Sequence, residues 1–183
     1  MLRKLQFAAL IAIVTMICSE NSFAQTGYAK TQNINASANI FATITLASAA
    51  NVDFSNINVG QIPTIDPTVA ASSWTNVGAS ATLGGFTVAG SNGANVTVSW
   101  TTQDLSDGAS HSVTYSPLVS YGATQVGSTS VASGTTHIPL GATAMPLYIG
   151  GHLYQQGTSN PVPAAQTAGT YTGTVTFTVD YVL

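Results

Sequence analysis

From Tyr171 onward, apolar or small side chains occupy every second position: Tyr171, Gly173, Val175, Phe177, Val179, Tyr181 and Leu183, with Thr or Asp between them as far as Asp180. A period of two sends alternate side chains to opposite faces, so the pattern predicts a half-buried β-strand over 171–183. A second alternation runs through Ile34, Ala36, Ala38, Ile40, Ala42, Ile44 and Leu46. It is far longer than the usual strand of about five or six residues. Further strands are predicted over 52–59, 81–89, 95–102, 111–116, 118–126, 135–140 and 145–155. Turn signals punctuate them at Gly84-Gly85, Ser91-Asn92-Gly93, Ser106-Asp107-Gly108, Gly127-Ser128, Ser133-Gly134 and Gly150-Gly151. The stretch 62–77, holding Pro63, Pro67 and Trp74, reads as a long loop.

Many short strands, regular turns and no 3.6-residue apolar stripe in the body of the chain predict an all-β, antiparallel sandwich. A terminal strand with no successor leaves a sheet edge that another chain could reach.

The N-terminal region predicts export. Met1-Leu-Arg-Lys4 is a basic start, 5–18 is an apolar run interrupted only by Gln6 and Thr15, and Ser22-Phe23-Ala24 supplies small residues at −3 and −1 of a cleavage site. Residues 1–24 are therefore expected to be a cleaved signal peptide and 25–183 a single domain. The apolar run is shorter than the ~20 residues that span a bilayer, so the mature chain is not expected to span a membrane. Ile17 before Cys18 is not the small residue that a lipoprotein site requires, so the only cysteine leaves with the signal and no disulfide remains.

Cleavage also changes the charge balance. Lys30 then faces Asp53, Asp66, Asp104, Asp107 and Asp180, one base against five acids and a net charge of −4. A single cation excludes a phosphate-tracking groove, so nucleic acid is not an expected partner.

Candidate chemistry is sparse. His111, His137 and His152 fit no compact metal motif, and no G-x-S-x-G elbow is present. Asp104 and Asp107 flank Leu105-Ser106 and are read either as a weak calcium pair or as caps of a hairpin turn. No nucleophile, acid–base pair or metal set converges, so no catalytic activity, metal or cofactor is expected. Among the aromatics Trp74, Trp100, Tyr115, Tyr121, Tyr148 and Tyr154, Trp74 in the irregular stretch is the candidate ligand contact, since planar rings pack against sugars; Trp100 ends the Val96, Val98 series and reads as core.

The order of segments carries a resemblance. Ile40-Phe-Ala-Thr-Ile-Thr-Leu46, Asn51-Val-Asp-Phe-Ser55, Leu147-Tyr-Ile-Gly-Gly-His-Leu153 and Ala168-Gly-Thr-Tyr-Thr-Gly173 running to Tyr181 resemble the bacterial secreted family known as domain of unknown function 4402. That family is similar to chaperone–usher pilins and spore coat protein U type domains. Ser55 stands where the family usually has glycine, and Tyr181 is third from the end where many pilins place tyrosine second.

The resemblance implies an immunoglobulin-like, pilin-like sandwich lacking its last strand. A neighbour's N-terminal extension then fills the groove, in the donor-strand form of β-augmentation. On this reading 25–39 is the extension, with Ile34, Ala36, Ala38 and Ile40 as inward donor residues and Tyr171, Val175, Phe177, Val179 and Tyr181 on the acceptor side. The implied partners are further copies of the chain, a periplasmic chaperone and an outer-membrane usher. The protein would pass through the periplasm to the cell surface or beyond, as a non-catalytic fibre subunit for adhesion, biofilm or a surface coat. Two other readings stay open: a closed monomer acting as a carbohydrate or surface-ligand binding module, in which 33–46 is one ordinary strand, and an outer-membrane β-barrel. Against the barrel, the last residue is Leu183 rather than Phe or Trp, and aromatic girdles are not evident.

Overall fold

The computed structural model describes residues 40–182. The predicted signal peptide and the donor positions Ile34, Ala36 and Ala38 lie outside the described residues.

Alternation becomes antiparallel pairing. The described strands are β1 (Thr45–Ala50), β2 (Thr64–Ile65), β3 (Gly84–Ala89), β4 (Asn95–Ser99), β5 (Gln103–Ser106), β6 (Ser112–Tyr121), β7 (Thr129–Val131), β8 (Ile138–Pro139), β9 (Met145–Gln155) and β10 (Thr178–Tyr181). One 3-10 turn, Ala71–Ser73, is the helical element among them. The larger sheet runs β1-β3-β9-β6-β5, with β2 added on β9 and β7 on β6, and the smaller runs β10-β4-β8. Every pairing is antiparallel. No helix among the described residues is long and apolar enough to cross a membrane.

The core is sandwich-like, because one apolar cluster draws on both sheets. Val88, Val119, Leu147 and Ile149 come from the larger sheet, and Val96, Val98 and Ile138 from the smaller. A second cluster gathers Phe54, Ile65, Val113, Tyr115, Leu153 and Val162. Burial of such side chains stabilises by roughly 1.5–3 kcal/mol each, and that drives the layers together. The parity is visible in β6, where Val113, Tyr115, Pro117 and Val119 are buried and Thr114, Ser116 and Leu118 between them are only partly so, while Ser120, one position further on, is buried as well.

Several predicted boundaries differ from the structure. The break expected at Pro117 does not occur: the expected strands 111–116 and 118–126 meet in the single strand β6, which ends at Tyr121, and 122–126 is not strand. Proline lacks the N–H that a ladder uses. Pro117 sits in the interval between the stretches where β5 and β7 line this side of β6, so that side makes no ladder there. Gly84-Gly85 and Gly150-Gly151 lie inside β3 and β9 and form no turns. A Cβ on Gly150 would collide with the carbonyl of Ile65, and one on Gly85 with the carbonyl of Leu147, so glycine here permits close approach of a neighbouring backbone.

The 52–59 segment is not a strand and makes only the bridge Asp53–Thr82. Ser55 turns the chain there with φ 54°, the left-handed conformation that glycine adopts most easily, and its N–H donates to Asp53 Oδ1 at 2.7 Å. The predicted 62–77 loop contains the two-residue β2.

Candidate assembly groove

The C-terminal segment of the body runs along the margin of both clusters. Thr172 bridges Ser106 of β5, and from Thr178 the chain pairs with β4, setting Val179 opposite Val98 and Tyr181 opposite Val96. Between those contacts it forms no ladder. The predicted parity holds from Thr174 to Tyr181, whereas Gly173, expected on the inward face, is exposed. Val175, Phe177, Val179 and Tyr181 face inward, and Thr174, Thr176, Thr178 and Asp180 are exposed.

Coverage is the unusual feature. Val96 and Val98 on the paired strand are fully buried, whereas Val175, Phe177, Val179 and Tyr181 are only partly so. Tyr171 and Val175 pack on the second cluster, and Phe177, Val179 and Tyr181 on the first. The Phe177 ring lies 5.8 Å from Phe86 of β3 and 5.9 Å from Trp100, so it bridges the sheets, and all three rings stay half-buried. Trp100, read as core, is thus at its rim. β10 is the outer strand of its sheet among the described residues, with β4 on one side. An edge strand with a half-open apolar face offers backbone donors and acceptors and apolar contact to an incoming strand.

The lead-in to β1 meets this edge. Tyr181 Oη donates to the carbonyl of Ala42 at 2.8 Å and accepts from Ser91 N–H at 2.7 Å, while Ala42 N–H donates to Ser91 Oγ at 2.5 Å. Phe41 stacks on Tyr181 at 4.7 Å between centroids. Gly90 makes room, since a Cβ there would overlap the Tyr181 hydroxyl and come within 2.9 Å of Leu140. Ile40, the one donor position among the described residues, is 92% exposed and fills no groove of its own chain.

The other predicted residues are dispersed. Asp104 and Asp107 do not share a site: Asp104 accepts from Thr114 Oγ1 at 2.6 Å and Gln156 Nε2 at 3.1 Å, whereas Asp107 accepts from Ala109 N–H and pairs with His111 Nδ1 at 2.7 Å. That pairing, chiefly the hydrogen bond to His111, holds the Asp107 carboxyl below its usual range. His152 Nδ1 lies 2.9 Å from Thr64 Oγ1, and burial pulls its pKa down against the opposing pull of Asp66. His137 is exposed. No group of three metal-ligating side chains occurs among the described residues.

Trp74 is half-buried against the second cluster, and its indole N–H donates to the Asp66 carbonyl at 3.0 Å. It is tied down and does not stand free. Tyr115, inside that cluster, donates to the Gly150 carbonyl at 2.6 Å, and burial pushes its phenol well up.

The chain matches no protein-family model and no curated protein.

Proposed function

We propose that this protein is a secreted, non-catalytic structural subunit with an immunoglobulin-like, pilin-type sandwich, assembled with copies of itself by donor-strand complementation at the cell surface. The observation that carries the reading is the half-open inward face of 175–181, beside the fully buried Val96 and Val98 of β4. Ile34, Ala36, Ala38 and Ile40 of one copy enter the groove of the next against Tyr171, Val175, Phe177, Val179 and Tyr181, and backbone hydrogen bonds extend the edge at β10. The resemblance to pilins supports a periplasmic chaperone and an outer-membrane usher as its handlers during export.

The test is assembly during native export. Wild type is expected to give a ladder of heat-resistant multimers. Ala36→Asp or Ala38→Asp places an unpaired charge in an apolar groove, at a cost of several kcal/mol, and abolishes the ladder. Ser37→Asp, of opposite parity, leaves it. A strictly monomeric wild type, with 33–40 protected from proteolysis, overturns the reading.

A further inference from the structure

The outer face of the larger sheet carries a second feature, separate from the groove. The register sets Asp104 of β5 opposite Thr114 of β6, and Thr114 opposite Tyr154 of β9, so that three polar residues form one row across three strands. This row lines a depression of about 390 Å3 completed by Thr102, Ser116 and the 157–159 turn.

Its polar groups are fixed before any ligand arrives. The Asp104 carboxylate is held by Thr114 and Gln156, and Thr114 Oγ1 accepts from Gly157 N–H at 2.9 Å, tying the turn to the row. A carboxylate has about four acceptor positions, so each Asp104 oxygen keeps capacity for a ligand hydroxyl. The Thr and Ser hydroxyls of the wall donate or accept as needed, and the half-buried Tyr154 ring lies 5.6 Å from His152 on the next outward position of β9.

The chemistry of the wall selects the ligand class. No Lys or Arg occurs in 40–182, so an anion finds no counter-charge here. A hard cation would meet one carboxylate, already hydrogen-bonded, where calcium takes six to eight oxygens. A neutral polyol matches best: adjacent hydroxyls donate to Asp104, exchange hydrogen bonds with the Thr and Ser hydroxyls, and set a C–H face against Tyr154. We infer that this depression is a binding site for a neutral saccharide, with Asp104 as the principal acceptor and Tyr154 as the aromatic wall. The inference does not depend on assembly, because the depression is formed within one copy.

The experiment is saturation-transfer NMR and calorimetry on the exported full-length mature protein, with methyl glycosides of glucose, galactose, mannose and N-acetylglucosamine as probes. At least one is expected to bind at roughly millimolar concentration. Asp104→Ala is expected to weaken it tenfold or more, and Tyr154→Ala severalfold, with thermal unfolding of each variant checked. Should Asp104→Ala unfold, Asp104→Asn keeps the shape and one acceptor and still weakens binding. Absence of any glycoside signal, binding unaffected by Asp104 and Tyr154 variants, loss with Trp74→Ala alone, or saturation of the site by calcium without sugar overturns the inference.

Discussion

Tyr181 and Ala42 are joined by a hydrogen bond across 139 positions of sequence, the tyrosine hydroxyl donating to the alanine carbonyl at 2.8 Å. Phe41 stacks on the same ring, and Ser91 N–H donates to the same oxygen. One side chain therefore fixes the lead-in of the first strand, the turn after β3 and the last strand of the smaller sheet.

Removing that hydroxyl should loosen all three. Tyr181→Phe is expected to cost about 1 kcal/mol by loss of two hydrogen bonds, the one from Ser91 partly buried and the one to Ala42 exposed. Faster amide exchange near Ala42 and Ser91, with β6 and β9 unchanged, would check it. Gly90→Ala should cost more, because its methyl group displaces the ring as well.

The difference in coverage between neighbouring strands gives a second expectation. Val98 is fully buried and Val179, its partner across the ladder, is not. Val98→Ala should destabilise the folded chain by about 2 kcal/mol, and Val179→Ala by about half as much. Denaturant unfolding of both variants measures the ratio, and equal losses would mean that the rim is closed in solution.

Ser55 offers a backbone test. A left-handed conformation costs a non-glycine residue about 1–2 kcal/mol, partly offset in a comparison with glycine by the extra freedom that glycine loses on folding. Ser55→Gly should leave the midpoint of unfolding unchanged or raise it slightly. Ser55→Val, branched at Cβ and without the small polar side chain suited to such turns, should lower it.

Acid should destabilise the fold in two windows. Burial depresses the His152 pKa in the folded state, so the unfolded chain binds the proton first, and stability falls as pH drops below about 6.5 until the folded value is passed. The Asp107 carboxyl is also depressed, and its contribution, present above about 3.8, is lost as pH falls through its folded value. In thermal melts between pH 8 and 3, His152→Gln should flatten the upper window and Asp107→Asn the lower.

Period-two alternation reveals which face a residue takes, and the parity of 174–181 and the full extent of β9 followed from it directly. It does not reveal what covers that face. Nothing in the pattern distinguishes Val98, fully buried, from Val179, half-open. Punctuation residues misled where tertiary contact reused them, as with Pro117 beside an unpaired interval and Gly150 beneath Ile65. The short β2, β5 and β7 are too brief and too polar for a period to show. The Asp104 depression depends on register among three strands, which spacing along the chain does not encode.

The Tyr181 contact also has a mechanical meaning. A force separating residue 42 from residue 181 loads the ring stack and its hydrogen bonds first. Behind them stand two short ladders, the four residue pairs joining β10 to β4 and the four joining β1 to β3, while the nine-pair ladder of β6 and β9 is spared. Single-molecule pulling from these two positions should therefore detach the outer strands β10 and β1 at low force while β6 and β9 stay paired. Yielding begins where the two ends of the body meet, and the core acts as an unloaded block behind a small, replaceable clasp.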